Sequence, residues 1–242
     1  MIIKCFQVPL ILCLFCVSSV SASTYQPWSE NVFIHINKEY GVQAEKRMRF
    51  LHDLIVENQE KSDKEKLRLV NDTMNKLPWI ADEQHWKSAD YWATPMETLT
   101  TFGGDCEDIA IAKWIVLRHL GIPREKLRLV YVRVKETGEN HMVLAYVERI
   151  DLPRAKRGKY SWILDNINEK VLSFPERKDL FAIYATDGDG NVVVFKDSGE
   201  GRSILGVREN TKVKKLDEIK RKIQENMAEY EKLNDGRPLH PY

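Results

Sequence analysis

The chain has 242 residues, of which 37 are basic and 36 acidic, and 43% are apolar. Its near-neutral balance gives no general attraction to nucleic acid or to anionic lipid, so neither is an expected partner. Its length supports a sizeable hydrophobic core without disulfide staples.

In chain order, residues 1–22 read as a cleavable signal peptide. Lys4 supplies the positive start, an apolar run extends from about Cys5 to Val20, and Val20-Ser21-Ala22 has the form of a cleavage site. The run is shorter than the roughly 20 residues of a spanning helix, and small polar residues follow it rather than a charged flank. The mature chain is therefore expected to begin near Ser23, exported and without membrane insertion. Lipoprotein processing is disfavoured because Cys13 follows Leu12 and Cys16 follows Phe15, where a small residue is wanted. Removal of this segment takes Lys4 and no acidic group, leaving 36 residues of each charge in residues 23–242, read as one domain. Cys5, Cys13 and Cys16 leave with it, so Cys106 becomes the sole thiol, without an internal disulfide partner. In an oxidising compartment a lone thiol is either packed inertly like a small hydrophobe or retained for its reactivity.

Apolar residues at helical spacing over about 40–58, Val42, Met48, Leu51 and Leu54 among them, predict an amphipathic helix. Ser62-Asp63-Lys64-Glu65 has the form of a capping box, and Leu67, Val70, Met74 and Leu77 continue a second helix until Pro78. The helical N-terminal part thus covers about 40–78. Residues 79–100 are aromatic-rich without a clear period, and most of those rings are expected to pack. Gly103-Gly104 precedes Asp105-Cys106-Glu107-Asp108 and an apolar run to Leu120, where Gly121 and Pro123 signal a stop. A central buried helix with Cys106 at its N-terminus follows from that pattern. Strand patterns then appear at Leu127–Val134, His141–Val147, Tyr160–Asp165, Phe181–Tyr184 and Val192–Phe195. The fold class is α+β, a mostly antiparallel sheet packed on the central helix, with a catalytic core over about 90–205. A charged amphipathic helix over about 212–233 closes the chain, with Val213, Leu216, Ile219, Ile223 and Met227 as its stripe.

A thiol attacks as its thiolate, which a helix N-terminus favours through unpaired N–H groups and the positive end of the dipole. Of six histidines only His141 lies on a core strand pattern, which makes it the candidate base. A symmetric hairpin around the basic loop Asp151–Gly158 places Asp165 opposite His141, where it can orient the imidazole. The plainer readings are a structural strand histidine and a turn that begins at Asp165-Asn166. Asp105, Glu107 and Asp108 argue against a reactive thiol, because neighbouring carboxylates raise its pKa. They either complement the helix dipole or hold a hard cation such as calcium, which takes six to eight oxygen ligands. Asp187-Gly188-Asp189-Gly190-Asn191 resembles a calcium loop but lacks a glutamate at the twelfth position in its proper register, so a hairpin turn is expected there. Zinc is disfavoured for want of a spaced ligand set.

The stretches Asp90-Tyr91-Trp92-Ala93-Thr94-Pro95, Gly104 to Lys113, His141-Met142-Val143-Leu144-Ala145 and Leu164-Asp165-Asn166 resemble the bacterial transglutaminase-like cysteine proteases of the LapG type. The likeness covers roughly residues 65–170 and centres on the cysteine block. It implies a papain-like or transglutaminase-like core with a Cys106, His141, Asp165 triad, calcium dependence, and Asp105 and Glu107 as calcium ligands. Asp108 is a further carboxylate to which no ligand role is assigned. The loop between His141 and Asp165 is longer and more basic than the family pattern. The resemblance also implies a periplasmic enzyme that cuts near the N-terminus of a large cell-surface adhesin, promoting biofilm dispersal, and that is sequestered by an inner-membrane receptor for cyclic di-GMP. Two other functions fit the residues: a transglutaminase or amidase using the same thioester, and a non-catalytic binding module on the same scaffold.

Overall fold

A computed structural model describes residues 25, 27–186, 191–197, 202–208 and 214–237, with the backbone alone at 196–197 and 202–208. The signal-peptide segment 1–22, residues 187–190 of the glycine-rich turn and Val213 lie outside the described residues.

The amphipathic helix expected over 40–58 is α2 (Val42–Glu57), and it buries Met48, Leu51 and Leu54. An unexpected helix, α1 (Glu30–Tyr40), precedes it and buries Val32, Phe33 and Ile36. Gly41, at φ +86°, makes the bend between them in a conformation that costs glycine nothing. Helix α3 (Asp63–Met74) starts at the expected capping box: Ser62 Oγ accepts the Glu65 N–H, and the Glu65 carboxylate accepts the Ser62 N–H.

The aromatic stretch carries two short helices, α4 (Asp82–His85) and α5 (Pro95–Thr101). A second capping box, Thr94 with Glu97, and Pro95 at the first helical position start α5. Trp92 is buried and the rings of Trp86 and Tyr91 pack at 4.8 Å, whereas Trp79 is 61% exposed.

Helix α6 (Cys106–His119) is the expected central helix, buried on most sides. It lies against a seven-stranded antiparallel sheet: β1 (Leu127–Val134), β2 (Asn140–Val147), β3 (Ser161–Leu164), β4 (Leu172–Ser173), β5 (Leu180–Thr186), β6 (Val192–Asp197) and β7 (Arg202–Arg208), ordered β4-β3-β2-β1-β5-β6-β7. Strands β4 and β7 were not expected. Leu144, Tyr146 and Leu164 join Ile109, Ala112 and Val116 of α6 in one cluster, which also takes in Val32 of α1 and Tyr230 of α8 (Lys214–Leu233). Val143, Ala145 and Ile163 pack instead with Val130 and Ala185. Strand β2 is therefore buried along nearly its whole length, as a central strand covered on both faces must be.

The symmetric register expected between the second and third strands is not the one formed. Val147 pairs with Ser161 and Leu144 with Leu164, a displacement of two residues, and β3 ends before Asp165. The intervening loop holds a helical turn, α7 (Arg154–Arg157), and that lengthens the connection. Displacement by two preserves which face each side chain occupies, so the site survives the slip. Among the described residues no helix is long and apolar enough to cross a membrane.

Leu144 is fully buried between β2 and α6. Leu144→Ala should cost about 2–5 kcal/mol in denaturant unfolding. The same change at half-exposed Val42 should stay within about 0.5 kcal/mol.

Candidate active site

The segment before α6 is drawn against the chain at Pro78–Ile80. Ile80 N–H donates to Gly104 O at 3.0 Å and Gly104 N–H to Pro78 O at 3.3 Å. A Cβ at Gly104 would stand 2.5 Å from Asp108 Oδ2, so only glycine admits this approach. Cys106 follows as the first residue of α6, half-buried, and is the one free cysteine among the described residues.

Its thiol donates to Glu107 Oε2 at 3.0 Å and lies beside the backbone N–H of Met142, the residue after His141. Burial pushes the Cys106 thiol well above its ordinary range, and the charges of Glu107 and Asp105 add to this, against a small opposing effect of the Met142 N–H. Burial and the neighbouring carboxylates thus oppose the thiolate that the helix N-terminus favours.

His141 is buried, and its Nε2 stands 2.7 Å from Asp165 Oδ1. That contact leaves Nδ1 as the ring nitrogen not engaged by Asp165. The two residues meet diagonally past the end of β3 rather than as directly opposed partners, which corrects the expected pairing. Asp165 Oδ1 also accepts the Ile167 N–H at 2.9 Å, and Oδ2 accepts Arg177 Nη2 at 2.7 Å. Burial alone would raise the Asp165 pKa. The hydrogen bond and charge of His141, with Ile167 and Arg177, outweigh it and hold the carboxyl down at about 2.

A group of carboxylates surrounds the thiol. Asp105 and Glu107 come together with Cys106, as expected, and two further groupings form from Asp82, Asp90 and Glu107 and from Asp82, Asp105 and Asp108. Within each grouping one ligand atom per residue lies within 4.8 Å of the others. Asp82 Oδ2 accepts the Tyr91 N–H at 2.5 Å and Asp108 Oδ1 accepts the Ala93 N–H at 2.7 Å, so both carboxylates pin the loop before α5. Their other oxygens, Asp82 Oδ1 and Asp108 Oδ2, and Asp105 Oδ1 are buried and lack hydrogen-bond partners. Buried carboxylate oxygens without hydrogen-bond partners, grouped in this way, are hard donors of the kind that a cation such as calcium takes. Trp79, Asp82, Asp90, Asp105 and Glu107 line an open cleft at this place. Burial, then the charges of Glu107 and Asp108, raise Asp105 to about 9; burial, aided by Asp82 and Glu107 and opposed by the Ala93 N–H, raises Asp108 to about 7.

Sequence reasoning missed Asp82, Asp90 and Arg177. Asp82 and Asp90 were visible only as acids in an aromatic loop, and Arg177 had no pattern to mark it.

Residues 43–187, more than half of the chain, match the pattern that defines bacterial transglutaminase-like cysteine proteinases. The chain belongs to that family. As a bacterial transglutaminase-like cysteine proteinase it also matches solved structures of LapG from Legionella pneumophila. The calcium-bound form is 27% identical, with a TM-score of 0.63 over 79% of this chain and 97% of that one. The EGTA-treated form is 26% identical, with a TM-score of 0.66 over 82% of this chain and 100% of that one. No curated protein matches the sequence. The family's transglutaminase-like fold agrees with the α+β architecture found here, and its chemistry is proteolytic.

Asp105 and Asp108 keep protons in the folded chain that an unfolded chain releases near pH 4, so without metal the stability should fall as pH rises from 5 to 7. Denaturant midpoints in chelator should be lower at pH 7 than at pH 5, and Asp108→Asn should flatten the difference. A midpoint that rises over this window in chelator contradicts the assignment.

Proposed function

We propose that the protein is a periplasmic, calcium-dependent cysteine endopeptidase that cuts near the N-terminus of a large cell-surface adhesin, releasing it and promoting biofilm dispersal. The observation that carries the catalytic part is the buried 2.7 Å pair of His141 and Asp165 next to the strand N–H against which the Cys106 thiol lies. In this reading Cys106 is the nucleophile. His141 takes the thiol proton at Nδ1, while Asp165 holds Nε2–H and stabilises the imidazolium. The thiolate adds to the scissile carbonyl, and the backbone N–H of Cys106, at the open N-terminus of α6, donates to the resulting oxyanion. His141 then returns the proton to the leaving amine, and water hydrolyses the thioester with the same imidazole as base.

Calcium fits the carboxylate group around the cysteine. Asp105 and Glu107 would hold it, with Asp82, Asp90 and Asp108 supplying the remaining protein oxygens, and the ion would contribute the positive charge that the cluster lacks. LapG from Legionella pneumophila, solved with calcium, supports the choice of ion. The signal-peptide pattern of residues 1–22 supports export to the periplasm. The adhesin substrate and a sequestering inner-membrane receptor for cyclic di-GMP rest on the resemblance to LapG-type proteases.

The chain from residue 23, with calcium, should shorten a recombinant N-terminal segment of such an adhesin, and Cys106→Ala should lower the rate by more than about 10³-fold. Mass analysis of the products checks the reaction: a shortened polypeptide is expected, and a covalent amine adduct would instead mean acyl transfer.

A further inference from the structure

We propose that Arg177 is a positioning residue of the triad, locking the Asp165 carboxylate so that one oxygen faces His141 and fixes its tautomer. The inference rests on the reading of Asp165 as the residue that orients the base.

Arg177 is among the largest fully buried side chains, at 1% exposure, an unusual place for a guanidinium. It is carried between β4 and β5 on a turn closed by its own N–H to Phe174 O at 3.2 Å. Its Nη2 donates to Asp165 Oδ2 at 2.7 Å and to Asp179 Oδ2 at 2.6 Å, and its Nε donates to Asp179 Oδ1 at 3.0 Å. The forked grip on Asp179, which is half-exposed, immobilises the guanidinium itself.

The two oxygens of Asp165 are thereby divided. Oδ1 serves His141 and the Ile167 N–H, while Oδ2 serves Arg177. The terminal torsion of an aspartate is broad and roughly two-fold, so a carboxylate held at one oxygen only can rotate. Held at both, it presents Oδ1 to Nε2, which must then carry the proton and leaves Nδ1 bare to accept one from a thiol. The charged groups that face Asp165 are His141 from β2, Arg177 from its turn and Lys113 from α6, with Asp179 behind Arg177. Lys113 Nζ donates to Asn71 Oδ1 at 2.9 Å, so Arg177 is the cation that sets the carboxylate's orientation.

The test is a two-bond 1H–15N correlation spectrum of the His141 ring in the calcium-loaded Cys106→Ala chain, recorded with the ring in its neutral form. The expected result is Nε2–H with an unprotonated Nδ1. Arg177→Met should move both nitrogens toward averaged, mixed-tautomer shifts. Arg177→Lys should restore part of the difference, and Asp179→Asn, changed at the half-exposed end of the clamp, should show a smaller effect in the same direction. In the chain that retains Cys106, Arg177→Lys should lower kcat by about 10–100-fold with little change in KM. An unaltered Nε2–H tautomer in a folded Arg177→Met chain overturns the proposal. If that variant does not fold, an unaltered tautomer in Asp179→Asn does so. Mixed tautomers in Arg177→Met, together with undiminished cleavage by Cys106→Ala, would leave the positioning role standing and overturn the protease reading.

Discussion

The constraint on which the site depends is the concentration of negative charge around a thiol that, as the proposed nucleophile, would have to become negative itself. Asp105, Glu107 and Asp108 occupy the start of α6, and the preceding loop adds Asp82 and Asp90. A helix N-terminus contributes about 0.3–1 kcal/mol per favourable charge. Two carboxylates within 4.8 Å of each other, if both ionised, would repel by about 3 kcal/mol or more at an effective dielectric of about 20, and this repulsion adds to burial in raising Asp105 and Asp108. The dipole cannot balance several such pairs, so the complement expected at an ordinary helix start does not account for this one. A divalent cation bound there, as proposed, would offset that charge and meet the unpaired oxygens of Asp82, Asp105 and Asp108. In the proposed function, the charge that disfavours the thiolate is also the charge that would hold the cation.

The other half of the proposed triad is built with the opposite sign. Asp165 sits among His141, Arg177 and Lys113, and its carboxyl is held at about 2 despite burial. An ionised carboxylate in this place suits the orienting role proposed for Asp165. The N-terminus of α6 carries the acidic cluster, while the ends of β2 and β3 and the turn before β5 carry the cationic clamp. Substrate would react where the two meet, at the thiol beside Met142 N–H.

Much of this was legible in the sequence, because the relevant signals are local. A lone cysteine after a glycine pair, at the head of an apolar run, marks the start of α6. His141 opens the most apolar strand, and the Ser62 capping box starts α3 where expected. What depends on tertiary geometry was not legible. The β2–β3 register slipped by two residues because a helical turn at Arg154–Arg157 took up chain in the loop, and alternation alone cannot distinguish registers that differ by two. Helix α1 was missed although Val32, Phe33 and Ile36 have helical spacing, and α5 although Thr94 and Glu97 form a capping box. Those two signals were present. Arg177 was not visible, since nothing in a polar turn between short strands distinguishes a buried guanidinium from a solvated one.

In the proposed function the acidic cluster governs the Cys106 thiol through a bound cation. The most direct measurement is the rate of iodoacetamide alkylation against pH for the chain from residue 23, in which Cys106 is the only cysteine, with calcium and with a chelator. The expected result is a thiol that titrates well below the roughly 8.5 of a free cysteine when calcium is present and reacts only at much higher pH when it is chelated. Alkylation with the same pH dependence in both conditions, in a folded sample, would contradict it.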